Sequence, residues 1–318
     1  MSKMYKLLVI TPIAHIKGLR HKLASCFDLI EYPDPVFDDI RETLPAIDSV
    51  FTNPNKSKVP IDRHFMSLAK NLKTIATAST GLIHIDMEEA RRRGVKVISL
   101  TREIETIEKI SSTAEHALAL TLSALRRIPW AFEDVLNGNW DYEKFIGRQF
   151  DYLTVGVIGW GRLGKMYARY VQALGAKVLV CDPAYTEKQC PYALVDLQDL
   201  VRRSDIISIH IHATPENIGL FGKQLLYLAK PDVLIVNTSR GEIIDEPAMV
   251  EFLETNPKAM LATDVLADEL KHKWGSPIFD LAKRGGNVLI TPHIGGMTRE
   301  AQEIAYHRVA DMLIEFFE

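Results

Sequence analysis

Val155-Gly-Val-Ile-Gly-Trp-Gly-Arg-Leu-Gly164 opens as a short apolar β-type run and closes on three spaced glycines, Gly159, Gly161 and Gly164. A helical pattern follows directly. In the order strand, G-x-G-x-x-G, helix, the glycines serve in turn for a tight turn, for room beside a diphosphate, and for close packing of helix on strand. The diphosphate of a dinucleotide then rests at the helix start, beside Arg162 and Leu163, where exposed N–H groups and the macrodipole favour an anion. A second strand over residues 177–181 ends at Asp182, 23 residues beyond Gly159. A carboxylate there accepts hydrogen bonds from the adenosine ribose and repels a 2′-phosphate, so the spacing predicts NAD rather than NADP. About 150 residues precede this fingerprint, enough for a domain of their own.

That upstream stretch alternates short apolar runs with amphipathic ones. Residues 7–10, 49–52, 72–77 and 95–98 read as strands, and 17–25, 61–69 and 87–93 as helices. Downstream the same rhythm continues, with strands at 154–158, 177–181, 206–209, 233–236, 260–262 and 288–290. A repeated β–α alternation implies parallel sheets covered by helices on both faces. The expected fold is therefore α/β, with two doubly wound parallel-sheet domains and no residue-level repeat between them. Between the halves runs Ser112-Thr-Ala-Glu-His-Ala-Leu-Ala-Leu-Thr-Leu-Ser-Ala-Leu125, a strong helix by composition. Ser112 and Glu115 read as its capping box. Its nearly all-round apolarity suggests burial at a junction of domains or subunits. Residues 298–318 form a last amphipathic helix beyond the nucleotide fold.

Hydrophobic content of 47%, charged content of 25% and a net charge of −3 describe an ordinary globular protein. A nucleic-acid partner would call for a basic stripe, which is missing, and no apolar run suits a signal or a membrane span. Cys26, Cys181 and Cys190 form no CxxC or zinc spacing. They point to a reducing, cytoplasmic setting, with Cys181 expected as a buried strand residue. His210 and His212 alternate onto one strand face, but no carboxylate or cysteine completes a metal set, so His210 reads as cofactor-side packing.

Three further segments follow strands: Asn237-Thr-Ser-Arg-Gly241, Thr263-Asp-Val-Leu-Ala-Asp-Glu269 and Thr291-Pro-His-Ile-Gly-Gly296. All fall at the carboxyl ends of predicted parallel strands, where ligands of open α/β sheets bind. They offer a cation, a carboxylate and an imidazole. Those groups suit hydride transfer between NAD and a small 2-hydroxy or 2-oxo acid. Arg240 holds the substrate carboxylate and polarises the carbonyl with its planar fork. His293 moves the hydroxyl proton, and Glu269 orients the ring and balances the charge that develops on it. Thr238, Ser239 and Asp264 are expected on the cofactor side of these loops.

Taken together, the chain resembles the D-isomer-specific 2-hydroxyacid dehydrogenase family over nearly its whole length. The motifs Thr113-Ala-Glu-His-Ala-Leu-Ala-Leu120, Val155 to Gly164, Ser204-Asp-Ile-Ile-Ser-Ile-His210, Asn237 to Gly241 and Thr291 to Gly296 match it in family order. The resemblance implies a flavodoxin-like substrate domain over residues 1–111 and 296–318, closed by the last helix, and a Rossmann NAD-binding domain over 112–295. It maps the family's arginine, glutamate and histidine onto Arg240, Glu269 and His293. It also implies that the Ser79-Thr80-Gly81 turn grips the substrate carboxylate with backbone amides, and that the protein forms a homodimer through the nucleotide domain. Trp130 and Trp140 read as core or interface aromatics, and His84 and Asp86 as structural. Relatives acting as NAD-responsive corepressors share the scaffold; the compact sequence, with no added docking tail, favours the enzyme.

Departures from the family pattern narrow the substrate. Asn53-Pro-Asn-Lys-Ser-Lys-Val59 stands where phosphoglycerate-type members carry an arginine, which argues against a phosphate-bearing substrate unless Lys56 or Lys58 substitutes for it. The usual Asp-Val-Phe-x-x-Glu-Pro reads Asp264-Val-Leu-Ala-Asp-Glu-Leu270, His212 replaces a proline, and residues 98–109 replace a shorter hinge segment. At 318 residues, the regulatory domain that some phosphoglycerate-type members append is not expected.

Overall fold

A computed structural model describes residues 4–54, 58–269 and 273–318. Lys56 lies outside the described residues. The chain divides into two compact units, Met1–Ile110 with Gly296–Glu318, and Ser111–Gly295.

The first unit is built on five parallel strands: β1 (Tyr5–Val9), β2 (Phe27–Glu31), β3 (Ser49–Thr52), β4 (Thr74–Thr77) and β5 (Lys96–Ile98). Their order, β2-β1-β3-β4-β5, is the flavodoxin-like one. Alternation along each strand loads both faces. Leu7, Val9, Phe51 and Ala76 pack with Ala305, Tyr306, Val309 and Leu313 of the terminal Arg299–Phe317 helix. Leu8, Val50 and Ile75 pack on the other face with Phe65, Met66 and Ala90. The strand β2 falls outside the strands expected from sequence, because Asp28 and Glu31 interrupt its apolar run. It is an edge strand, with only Phe27 fully buried, so one polar face is tolerated.

The second unit carries β6 (Thr154–Ile158), β7 (Lys177–Cys181), β8 (Ala193–Leu194), β9 (Ile206–Ile209), β10 (Leu234–Asn237), β11 (Met260–Thr263) and β12 (Val288–Ile290). The order is β12-β11-β10-β9-β6-β7-β8, all parallel, with the direction of winding reversing between β6 and β9. That reversal is the Rossmann switch point, where a crevice opens at the carboxyl ends of the strands. β10 runs to Asn237 and β11 to Thr263, each further along than the sequence pattern suggests. β8, two residues long, is too short to leave a periodic signal.

The Ser112–Leu125 helix buries Ala114, Ala117, Leu120 and Ala124 within the second unit, against Val155, Val157, Tyr167, Val236 and Ala262. The expected Ser112/Glu115 capping box does not form: Ser111 is the N-cap in αR conformation without a side-chain cap bond, its hydroxyl donating instead to the Glu115 carboxylate. Cys181 ends its strand half-buried rather than buried. Trp130 leans on the core, while Trp140 is 92% exposed. Asp86 caps the Met87–Arg93 helix through the Glu89 N–H.

Candidate active site

The glycine fingerprint forms the turn between β6 and the Arg162–Ala173 helix. Gly159 has φ +93°, and a Cβ there would come within 2.5 Å of the His210 carbonyl oxygen. On Gly164 a Cβ would sit 2.0 Å from the Gly159 oxygen. Both positions are closed to a side chain by the protein itself. Gly161, the N-cap, differs: a Cβ there meets nothing within 4 Å. Its surroundings leave the room a diphosphate needs beside the first turn at Arg162 and Leu163. The Asp182 carboxylate reaches back, accepting the Trp160 N–H at 2.7 Å and the Ala184 N–H at 2.9 Å. Each oxygen thus keeps lone-pair capacity for a ribose hydroxyl. This cradle fits a dinucleotide.

His210 follows β9 directly. The Ser208 hydroxyl oxygen lies 2.8 Å from His210 Nε2. Beside it, Thr121 donates to the Ala117 carbonyl and accepts from the Tyr167 hydroxyl at 2.8 Å. Burial lowers the His210 pKa to about 3, leaving the ring neutral, and pushes Tyr167 up to about 12.

The three chemistry-bearing loops leave neighbouring strands β10, β11 and β12. Asn237, fully buried at the end of β10, accepts the Ser239 N–H at 3.0 Å and donates to the Arg240 carbonyl at 2.9 Å. It stitches the turn that presents Arg240. Ser239 spends its hydroxyl on the Ile209 carbonyl, and the Thr238 hydroxyl is buried without a partner among the described residues. The guanidinium of Arg240 donates to the Ser239 carbonyl.

After β11 the chain turns through Asp268 at φ +49°, and Glu269 folds back. One Glu269 oxygen accepts the Leu266 N–H at 3.3 Å and the other meets His293 Nδ1. Asp268 instead sends its N–H to Glu242. The loop is anchored from beneath by Glu246, buried, which accepts from the Ala267 N–H and the Ser276 hydroxyl. The sequence pattern singles out the Asn237 segment without a role for Asn237 itself, and gives no signal for Glu246. Each lies within a strand or helix pattern that explains it without reference to a site.

His293 occupies the left-handed region at φ +56°, an uncommon place for a non-glycine residue. Its N–H closes a three-residue turn onto the Thr291 carbonyl around Pro292. Asp264, 2% exposed, holds the far side of the turn. One oxygen accepts from the Thr291 hydroxyl and the Ile294 N–H at 2.9 Å, the other from the Gly295 N–H at 2.7 Å. Burial alone would raise the Asp264 pKa, but hydrogen bonds from His116, Thr291, Ile294 and Gly295 outweigh it and pull it below the usual range.

In the first unit the turn after β4 has a consistent polarity. The carbonyls of Ser79, Thr80 and Gly81 accept from the Leu100 N–H, the Thr101 hydroxyl and the Ser79 hydroxyl. Among the described residues their own N–H groups have no hydrogen-bond partner. A turn with its acceptors engaged and its donors available suits an anion. Thr77 joins this turn to His84, whose burial lowers its pKa to about 4.

Residues 118–295 match the family described as D-isomer specific 2-hydroxyacid dehydrogenase, NAD binding domain. The chain is 36% identical over 280 residues to D-3-phosphoglycerate dehydrogenase of Mycobacterium tuberculosis, covering 87% of this chain and 50% of that protein. It thus spans about half the length of that relative. It is 33% identical over 283 residues to hydroxypyruvate reductase of Thermotoga maritima, covering 87% of this chain and 86% of the relative. Among solved structures it is similar to D-lactate dehydrogenase of Aquifex aeolicus, solved with NAD and lactic acid. That likeness has a TM-score of 0.81 and 27% identity, over 98% of this chain and 95% of the other.

Proposed function

Because the chain belongs to the D-isomer-specific 2-hydroxyacid dehydrogenase family, we propose that it is an NAD-dependent oxidoreductase interconverting a small D-2-hydroxy acid and its 2-oxo acid. The observation that carries this reading is the meeting of His293 Nδ1 with Glu269, one strand over from the loop that presents Arg240. Bound NADH supplies the hydride that goes to the carbonyl carbon. With Nδ1 held by Glu269, proton transfer to the carbonyl oxygen falls to Nε2 of His293, and the Glu269 carboxylate orients that ring. The guanidinium of Arg240 binds the substrate carboxylate and polarises the carbonyl. In reverse, Nε2 takes the hydroxyl proton as hydride leaves.

Each unit has its own part in this reading: the second holds the cofactor, and the first binds substrate through the N–H groups of Ser79, Thr80 and Gly81. Lys58 forms an exposed ion pair with Asp34 at 3.0 Å, a weak contact that a phosphorylated acid could displace. Purified protein should oxidise NADH with at least one of glyoxylate, pyruvate or hydroxypyruvate, followed by nicotinamide absorbance. Tight NADH binding without turnover of any such acid would overturn the enzymatic reading in favour of an NAD-responsive binding protein.

A homodimer through the second unit is part of the proposal. The Ile128–Leu136 helix and the segment after it expose Phe132, Leu136, Trp140, Tyr142 and Ile146 at 65–92%, an apolar surface of the kind that associates. Light scattering on the purified chain tests it, a monomer at micromolar concentration being the contrary result. Among the described residues no helix is long and apolar enough to cross a membrane. A cytoplasmic location, read from three cysteines without a CxxC or zinc spacing, belongs to the same proposal, and cell fractionation checks it.

A further inference from the structure

His116 stands on the first turns of the Ser112–Leu125 helix, inside an Ala/Leu run that packing alone explains. Its side chain leaves that apolar setting. Nε2 lies 2.9 Å from the Thr291 hydroxyl oxygen and 3.2 Å from an Asp264 carboxylate oxygen. The direction of these contacts follows from counting hydrogens. Asp264 accepts, so the single Thr291 hydrogen is committed to it. Thr291 then offers only lone pairs towards the ring, and His116 Nε2 must carry a proton and donate. That one N–H feeds both oxygens.

The consequence reaches the His293 turn. Asp264 is the common acceptor for the Thr291 hydroxyl and for the Ile294 and Gly295 N–H groups, which flank His293 on both sides. A left-handed histidine persists only where its surroundings over-determine it. Here they do so through one buried carboxylate, and His116 is the one side-chain nitrogen on it among the described residues. The same helix closes on the turn a second time: a Cβ on Gly295 would sit 3.2 Å from Thr113 Cγ2 and 3.0 Å from the Asp264 carboxylate. Helix, carboxylate and turn are thus locked at two points.

We propose that His116 is a positioning residue for the reaction, fixing Asp264 and Thr291 so that the turn holds His293 against Glu269. For its catalytic consequence the inference rests on the proposed function; for the geometry it does not. Hydrogen bonds to a charged group are among the stronger ones, so loss of this donor should be visible as a rate.

Two variants separate the donor from the bulk. His116→Leu keeps an apolar filler and removes the N–H; His116→Gln carries an N–H at about the same reach. Each is measured by steady-state turnover of NADH with a 2-oxo acid and by amide hydrogen exchange of Ile294 and Gly295. His116→Leu should lower kcat on the order of tenfold, with KM for NADH changed less than about threefold. Exchange at both amides should quicken by about tenfold. His116→Gln should restore both readouts to within about threefold of the parent. Unaltered Ile294 and Gly295 exchange in His116→Leu would overturn the proposal, as would a Gln variant no better than Leu. If the parent protein turns over no 2-oxo acid, the functional reading fails, and the exchange arm still decides the role of His116.

Discussion

Gly241 lies so close to Leu266 that a Cβ on it would come within 2.0 Å of the Leu266 carbonyl carbon and 2.2 Å of the Ala267 nitrogen. The loop presenting Arg240 is therefore seated on the backbone of the loop carrying Glu269. Gly241→Ala cannot be relieved by a rotamer change, because the obstacle is main chain. It should cost about 1–3 kcal/mol of stability and lower kcat/KM on the order of a hundredfold, since small displacements of reacting groups are expensive. Thermal melts and steady-state kinetics check both; an alanine variant with unaltered kcat/KM would show that the two loops are not coupled in this way.

Glu269→Gln keeps the shape of the group facing His293 but removes its charge. A neutral amide still orients the ring, yet it no longer balances an imidazolium. The expected result is a kcat for 2-oxo acid reduction lowered by about 10²–10⁴-fold, with NADH affinity unaltered. NADH titration beside turnover separates the two quantities. Equal losses in binding and in turnover would point to a collapsed loop rather than a missing charge.

How far the sequence could be read depended on whether a residue's pattern had another explanation. Arg240, Glu269 and His293 follow strands whose apolar runs end abruptly, so polar residues there invite a functional reading. The pairing of Glu269 rather than Asp268 with His293 needs the positive φ of Asp268, which no residue spacing announces. His116 hides in a helix that burial accounts for, and Glu246 in the first turn of another. The Ser112 and Glu115 spacing mimics a capping box, but the helix starts after Ser111 and its hydroxyl goes to the Glu115 carboxylate rather than to a helix N–H. Asp264 was expected beside the cofactor; the structure adds an internal duty, the clamp on the His293 turn, that only three-dimensional contacts reveal.

His84 gives the first unit a pH-dependent stability. Its ring is 5% exposed, bonded through Nε2 to the Thr77 hydroxyl, and burial lowers its pKa to about 4. The unfolded chain titrates near the ordinary value of about 6.5. Because the folded pKa is the lower one, the contribution is fully present above about pH 6.5 and is lost as pH falls towards 4. The loss across that window is about 3 kcal/mol. Urea unfolding of the parent and of His84→Asn at a series of pH values checks it. The variant should lose the slope between about pH 6.5 and 4; an identical slope would assign it to other groups.

The three fingerprint glycines should fail differently when replaced. Gly159 at φ +93° and Gly164, 2.0 Å from a carbonyl at its virtual Cβ, are confined by protein. Alanine at either should destabilise the second unit by about 1–3 kcal/mol or more. Gly161 has ordinary extended backbone, φ −76° and ψ −168°, and open space where a side chain would project. Gly161→Val should therefore fold normally, losing no more than about 1 kcal/mol for a poorer helix N-cap. Its isopropyl group would occupy the room left for the diphosphate, so NADH affinity should fall by at least about a hundredfold. Melting temperature and NADH fluorescence titration on the same preparations make the comparison. A Gly161→Val protein that binds NADH as the parent does would move the diphosphate away from this turn, and a Gly159→Ala protein as stable as the parent would remove the steric account of the first glycine.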